Sequence, residues 1–450
     1  MGELSQPDQD LPDDAPDGTR RRRRVLKIVA LTAAGTLVAA VAGVALAYNH
    51  LNHNIRAVSI DDVTKPVKGI KKTLSPGVEK PDAFGRTPLN ILLIGSDTRD
   101  TAADCAIGGD CGDGGAGANA DVEMLVHLSA DRTNATVMSI PRDTMTNTPA
   151  CTDPTTGAST SGYYGQINST LKYGPACTVE AVHQLTGIPI DHFAMIDFSG
   201  VVNMSDAIGG VNVCVDNNVY DPDSGLKLSK GTHTLQGLSA LQFLRTRHGF
   251  GDGSDLGRTY AQHIFITQMI NKLKSAGTLT DPVALYDLAD AATKALTVDT
   301  GLGSITKLIG LATDLNKVPA GRVTFTTMPN YLDPADTNRV LVSSSAQALF
   351  RSIIDDQSLT AASSTPAAPT AGATPTATAT SPTPSAPATA PTSAVPSPTA
   401  SALIGANAQT GDQVGTCAQV GDQYTVELNG VGMTPIQAYS NSPGVPNSAP

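Results

Sequence analysis

Two aspartates and five arginines stand in this chain at points where an α/β sheet would present them to a ligand. Asp97 and Arg99 follow the apolar run Leu89–Ile94. Asp121 opens a second run, Val122–Leu128, and Arg142-Asp143 follows a third, Ala135–Ile140, after Pro141. Residues just past the carboxyl ends of strands in an open α/β sheet are where ligands bind. Further on, Arg245 and Arg247 flank Thr246, and their side chains share a face if that stretch is extended. Asp255-Leu-Gly-Arg258 then leads into a helix on which Gln262 lies one turn beyond Arg258, facing the same way. The bland reading is solvated surface charge, which explains most isolated arginines. Here each arginine sits at an element end beside apolar sequence, not within a Lys/Glu-rich face. Converging guanidinium forks suit a polyanion such as a pyrophosphate. Two nearby carboxylates suit Mg²⁺, which prefers one or two carboxylates plus phosphate oxygens.

Other chemistries find less support. Gly112-Asp-Gly114-Gly-Ala-Gly117 matches G-x-G-x-x-G, but no strand precedes it, as the dinucleotide-binding fingerprint requires, so it reads as a surface loop. No G-x-S-x-G, H-E-x-x-H or Walker motif occurs. The eight histidines are scattered, and only His248, after Thr246-Arg247, stands beside a suggestive cluster. Nothing in the spacing recommends a Ser/His/Asp hydrolase.

The elements that must position these groups divide the 450 residues into segments. Residues 1–24 form a polar, acidic tail that buries no core and ends in the run Arg20 to Arg24. Residues 25–48 read as a transmembrane helix, with 21 uncharged residues from Ile28 to Tyr48, enough to span a hydrocarbon core of roughly 30 Å. The preceding arginines predict a cytoplasmic N-terminus and an extracellular remainder, hence a single-pass protein of the cell membrane. Ala45-Leu46-Ala47 resembles a signal-peptidase site, but the apolar stretch exceeds the roughly 7–15 residues of a signal peptide.

Residues 49–85 read as a juxtamembrane spacer. Strand-like and helical runs then alternate over 86–357, which predicts one α/β domain with helices on both faces of a sheet. Residues 358–400 are an Ala/Pro/Thr/Ser-rich linker and 401–450 a poorly structured tail. With 30 Lys plus Arg against 41 Asp plus Glu and a net charge of −11, there is no general basic field, which argues against a nucleic-acid partner. All six cysteines follow the span, in an oxidising compartment, and none forms C-x-x-C, which favours disulfides over metal thiolates. Cys105 and Cys111 bracket one loop and Cys151 and Cys177 another, while Cys214 is left free or joined to Cys417.

The ordered motifs strand–Gly-Ser-Asp97-Thr-Arg99, Asp121, Ser-Ile-Pro-Arg142-Asp143, Ile167-Asn-Ser-Thr-Leu-Lys-Tyr-Gly174, Phe243-Leu-Arg245-Thr-Arg247-His and Asp255-Leu-Gly-Arg258-Thr-Tyr-Ala-Gln262 resemble the LytR-CpsA-Psr (LCP) family of actinomycete and Gram-positive cell envelopes. The resemblance covers roughly residues 86–357. It implies an α/β/α sandwich with a long apolar pocket for a polyprenyl chain. It also implies a Mg²⁺-dependent phosphotransferase that moves a glycopolymer from a polyprenyl-pyrophosphate carrier to peptidoglycan.

By the same resemblance Asp97 and Asp121 are metal-associated. Arg142, Arg245, Arg247 and Arg258 bind pyrophosphate with Gln262, and Arg99 and Asp143 fall on motif positions. Many relatives carry an arginine at the place of Asn119, a threonine at Val122 and an arginine at Ala261, and residues 101–118 look inserted. Two other readings stand beside the transferase: a lipid-pyrophosphate hydrolase, and a non-catalytic polyprenyl-glycan-binding scaffold of wall assembly.

Overall fold

The computed structural model describes residues 18–60, 81, 85–98, 104–105, 107, 118–253, 255–275, 282–359, 409–410 and 417–450. Two units are distinguished, residues 1–53 and 54–450. The first is built on helix α1 (Gly18–Asn54). Its segment Leu26–Asn54, with a mean hydropathy of 2.2, is long and apolar enough to cross a membrane. The helix therefore overruns the expected 25–48 at both ends.

Among the described residues, the second unit is organised by an eight-stranded mixed sheet. In chain order its strands are β1 (Arg56–Val58), β2 (Leu89–Ser96), β3 (Ala120–Leu128), β4 (Ala135–Ile140), β5 (His192–Ile196), β6 (Leu296–Asp299), β7 (Val323–Thr327) and β8 (Gln409–Thr410). Their spatial order is β1-β6-β5-β2-β3-β4-β7-β8. The β2–β3 and β3–β4 pairs are antiparallel, whereas β2–β5 and β4–β7 are parallel. The carboxyl ends of β2, β4, β5 and β7 and the start of β3 thus lie along one edge. Asp97, Asp121, Arg142 and Asp197 all belong to that edge.

Side chains alternate across the sheet with period two. Ile91, Met124, Val126 and Leu128 point to one core, completed by Ile264 and Phe265 of the helix Asp255–Ser275. Leu92, Ile94, Leu125 and Ile140 point to the other, closed by Val179 and Val182 of the helix Pro175–Thr186 and by Leu349 and Phe350 of the helix Ala346–Ile354. The helices are α2 (Pro175–Thr186), α3 (Phe198–Ala207), α4 (Leu238–Arg245), α5 (Asp255–Ser275), α6 (Pro282–Ala295), α7 (Ile305–Lys317), α8 (Ala346–Ile354) and α9 (Pro435–Ser440). The result is the α/β/α sandwich that the alternation predicts.

Three expectations are corrected. The spacer 49–85 is not wholly a spacer, because β1 pairs with β6 at the sheet edge. That edge forms where the helix Pro282–Ala295 stops and Leu296 opens β6, the β-branched Thr297 and Val298 favouring a strand. The linker begins later than 358, since Leu359 is buried in the second core.

The largest correction concerns the tail. Cys417–Ala418 pairs in parallel with Val211–Val215, and Cys417 is disulfide-bonded to Cys214. Beyond it, Gly421 N–H donates to Gly249 O at 2.9 Å and Thr425 Oγ1 to His248 O at 2.7 Å. Helix α9 starts at a reciprocal Thr434/Gln437 cap. The Lys227 ammonium, in a residue only 3% exposed, donates to the Ser442 and Val445 carbonyls and lies 4.8 Å from the Tyr439 ring centroid. A buried ammonium stripped of water needs those acceptors, so residues 417–450 are part of the domain.

Cys151–Cys177 forms as expected, and Cys214–Cys417 settles the alternative left open. Cys105 is also disulfide-bonded; Cys111 lies outside the described residues, as does the Gly112–Gly117 loop.

One buried acid stands out. Glu123 on β3 is 1% exposed, and neither carboxylate oxygen has a hydrogen-bond partner among the described residues. Burial pushes its pKa well above 4.5, so the folded chain holds a proton there that the unfolded chain releases. Stability from this site is complete below pH 4.5 and falls as pH rises toward the folded-state pKa. Glu123→Met is expected to remove that slope and to add about 1–2 kcal/mol near neutral pH. Urea unfolding of both proteins at pH 4.5 and 7.5 tests this, and equal slopes would refute it.

Candidate functional site

The site begins with an irregularity in the sheet. Gly95 pairs with Val122 and Ser96 with Ala120, so Asp121 is an extra residue in β3. Such a bulge re-aims a side chain, and Asp121 joins Val122 in facing the cavity described below. Gly95 permits it, because a Cβ there would lie 2.9 Å from the Val122 Cβ. Arg142, just past β4, donates to Asp121 Oδ1, and its Nε lies 3.5 Å from Asp143 Oδ2. Arg258 Nη2 donates to the Asp121 carbonyl at 3.2 Å, holding the bulge in place.

Asp143, 6% exposed, gathers the cations. Its Oδ2 lies 3.5 Å from Arg247 Nη2, and its Oδ1 accepts from Gln166 Nε2. Asp97 is held differently. Asn119 donates its backbone N–H to Oδ1 and its amide to Oδ2, the latter at 3.0 Å. The residue where many relatives carry arginine is here the partner of the first aspartate.

Arg245 is not on an extended segment, as its shared face with Arg247 would have required. It ends helix α4, and Thr246, fully buried, turns the chain by bonding back to Gln242 O. Both arginines nonetheless reach the same cavity. Arg245 lies with its guanidinium carbon 4.7 Å from the Phe198 ring centroid, a cation–π contact. On α5, Arg258 and Gln262 are one turn apart and both 5% exposed, and Gln262 Nε2 donates to Leu244 O at 3.2 Å, tying α5 to the end of α4. His263 next door bonds Ser139 Oγ at 2.7 Å, and burial pushes its pKa down to about 4. It is therefore neutral near pH 7 and pins α5 to β4.

Two chambers meet here. A cavity of about 570 Å³ lies between the sheet and helices α3, α4 and α5, walled by residues such as Met124, Ile196, Met204, Leu241, Phe265 and Met269. Asp121, Arg142, Arg245, Arg247, Arg258 and Gln262 complete its lining. A second, polar chamber of about 490 Å³ is lined by Asp97, Asn119, Asp143, Gln166, Asn168, Lys172 and Arg339. Arg142 and Arg247 line both. An apolar volume fringed by guanidinium groups suits an amphiphile with an anionic head.

The donor chemistry at this edge fits a hard divalent cation. Asp97 and Asp121 offer carboxylate oxygens, and Asn168 Oδ1 in the polar chamber is a buried oxygen with no hydrogen-bond partner among the described residues. All-oxygen donors are what Mg²⁺ takes. Of the residues expected from sequence, Asp97, Asp121, Arg142, Asp143, Arg245, Arg247, Arg258 and Gln262 all line one or both chambers; Arg99 lies outside the described residues.

Residues 48–355 match the LytR_cpsA_psr family. The chain belongs to this family. Among LCP relatives, the cell wall biosynthesis protein LcpA of Corynebacterium glutamicum is 33% identical over 270 residues, covering 53% of this chain and 49% of that one. The polyisoprenyl-teichoic acid–peptidoglycan teichoic acid transferase TagT of Bacillus subtilis is 28% identical over 313 residues, covering 68% and 87%. The chain spans about half the length of LcpA and of the probable cell wall biosynthesis protein LcpB, 49% and 48%. Among solved structures, the LytR-Csp2A-Psr enzyme from Actinomyces oris aligns with a TM-score of 0.48 at 22% identity, covering 66% of this chain and 95% of that one.

Sequence reasoning missed several lining residues of this LCP domain. Gln166 and Asn168 flank the first residue of a quoted motif, so proximity to it was a usable signal. Lys172 lies inside the same motif. Arg339 comes from the hairpin Asn330–Asp333/Asp336–Val342, whose short strands carry little apolar pattern.

Proposed function

We propose that this chain is a membrane-anchored phosphotransferase of the cell envelope, with its catalytic domain outside the membrane and its N-terminus in the cytoplasm. It would take a glycopolymer from a polyprenyl-pyrophosphate carrier and join it to peptidoglycan. One observation carries the reading: the apolar cavity and the polar chamber meet at Arg142 and Arg247. The cavity would hold the prenyl chain and the arginines the pyrophosphate, while the polar chamber admits the acceptor. The names of TagT and LcpA agree with this chemistry.

In the reaction, an acceptor hydroxyl oxygen attacks the phosphorus that carries the glycan. The bond from that phosphorus to the bridging oxygen breaks, and the lipid leaves as its monophosphate. The hydroxyl proton passes to a carboxylate of the Asp97–Asp121 pair. Arg142, Arg245, Arg247 and Arg258 neutralise charge on the departing phosphate, the main task of a phosphoryl-transfer site. Mg²⁺, when held by Asp97 and Asp121, would withdraw further charge from the phosphate oxygens. A helix that fixes the domain at the bilayer raises the effective concentration of a lipid-borne donor.

The test uses the full chain in lipid nanodiscs with a labelled polyprenyl-pyrophosphoryl sugar and a peptidoglycan oligomer, with and without Mg²⁺. Mg²⁺-dependent appearance of label on the oligomer is the expected result. Release of lipid monophosphate with free sugar phosphate, and no transfer, would replace the transferase by a hydrolase. Saturable lipid binding without turnover under any metal would leave a scaffold.

A further inference from the structure

A second cluster lies on the same cavity but outside the pyrophosphate clamp. We propose that Asp221, Asp223 and His248 form a divalent-cation site selective for a borderline ion, Zn²⁺, over Mg²⁺. The inference goes beyond the transfer reaction and does not depend on it.

One ligand atom from each of the three residues lies within 4.8 Å of the others. Asp223 Oδ2 and His248 Nδ1 are 3.0 Å apart. The independent observation is Asp221. It is 1% exposed, and its Oδ2 is buried with no hydrogen-bond partner among the described residues. Its Oδ1 accepts the Asp223 N–H at 3.1 Å. Burial raises the Asp221 pKa, opposed first by the His248 ring and then by the backbone N–H groups of Asp223 and His248. An unpartnered carboxylate oxygen in the interior is costly unless a cation faces it.

The chain brings these groups together over some distance. Asp221 and Asp223 belong to the turn of the hairpin Val219–Asp221/Leu226–Leu228, while His248 follows α4. Gly249 lets that loop close down on the hairpin, because a Cβ there would stand 2.6 Å from Thr246 Cγ2 and 3.1 Å from Val219 Cγ2. Thr425 then fixes the loop from outside through the His248 carbonyl. Two carboxylates and one imidazole make a mixed oxygen–nitrogen set, which suits Zn²⁺ better than Mg²⁺. Asp223 and His248 are partly solvent-exposed, leaving the remaining positions to water.

The experiment titrates Zn²⁺, and separately Mg²⁺, into chelator-stripped full-length protein in detergent micelles by calorimetry, and records the visible spectrum after Co²⁺ loading. One bound ion per chain is expected, with a Co²⁺ ligand-field band that reports nitrogen ligation. Because Asp221 is buried, the exposed variants His248→Gln and Asp223→Asn carry the test. Each should weaken Zn²⁺ by about 10- to 100-fold, with an unchanged circular-dichroism spectrum. Asp97→Asn should leave Zn²⁺ affinity as in the wild type. The proposal is overturned by absence of saturable binding, by Mg²⁺ binding as tightly as Zn²⁺, by affinity that survives both rim substitutions, or by affinity lost in Asp97→Asn instead.

Discussion

Arg142→Ala is expected to lower glycopolymer transfer by about 10³-fold, the scale set by removing an arginine from a phosphoryl-transfer site. Arg142 donates to Asp121, stands 3.5 Å from Asp143 and lines both chambers. Its loss would strip positive charge from the junction where the proposed reaction places the scissile bond, leave Asp121 without its guanidinium partner and leave Asp143 with Arg247 and Gln166 alone. Repulsion would then add to the lost attraction. Arg142→Lys should recover little, because a point charge cannot address two carboxylates and a phosphate as a planar fork does. Label transfer in nanodiscs measures the loss, and a thermal melt checks the fold. An alanine variant transferring at the wild-type rate would remove Arg142 from the mechanism.

The second large effect concerns stability. Cys214 and Cys417 are separated by 203 residues, and closing a loop that long restricts the unfolded chain by about 5 kcal/mol in the chain-entropy account. The double variant Cys214→Ser/Cys417→Ser should lose about that much in urea unfolding. Cys151–Cys177, with a separation of 26, should contribute about 3 kcal/mol. The tail reaches the body through strands of two residues and a few side chains, so it should open first. Hydrogen exchange should rise in 417–425 and in the Gly249–Gly251 loop that these residues hold. Since Arg247 lies two residues before that loop, transfer should fall as well. Unfolding unchanged by the double substitution would show that noncovalent packing of the tail suffices.

The edge that carries the site was legible because strand ends are local events. An apolar run followed by Gly-Ser-Asp97, or by Pro-Arg142-Asp143, announces itself within a few residues. The period-two alternation of β2 likewise predicts which side chains enter which core. What stayed hidden depends on partners distant in sequence. The bulge at Asp121 exists only in register with Gly95. Asn119 reads as a departure from the family until Asp97 is seen between its donors. Asp221 sits in a Tyr-Asp-Pro-Asp-Ser-Gly stretch that any turn rule assigns to solvent, and it is buried only because the His248 loop covers it. Residues 417–450 lack local periodicity and gain structure from a disulfide and from Lys227, neither visible in a short window.

The tail also changes what a break in the backbone would mean. Residues 361–400 are Ala, Ser, Thr and Pro apart from Gly372 and Val395, a composition typical of stretches that proteases reach. A cut there would ordinarily release everything beyond it. Here the Cys214–Cys417 bond makes the polypeptide a covalent ring from 214 to 417, so one nick converts the protein into a two-chain molecule without losing its carboxyl-terminal piece. The nicked form would run as a single species on a non-reducing gel and separate into two on reduction, its far end still seated beside His248.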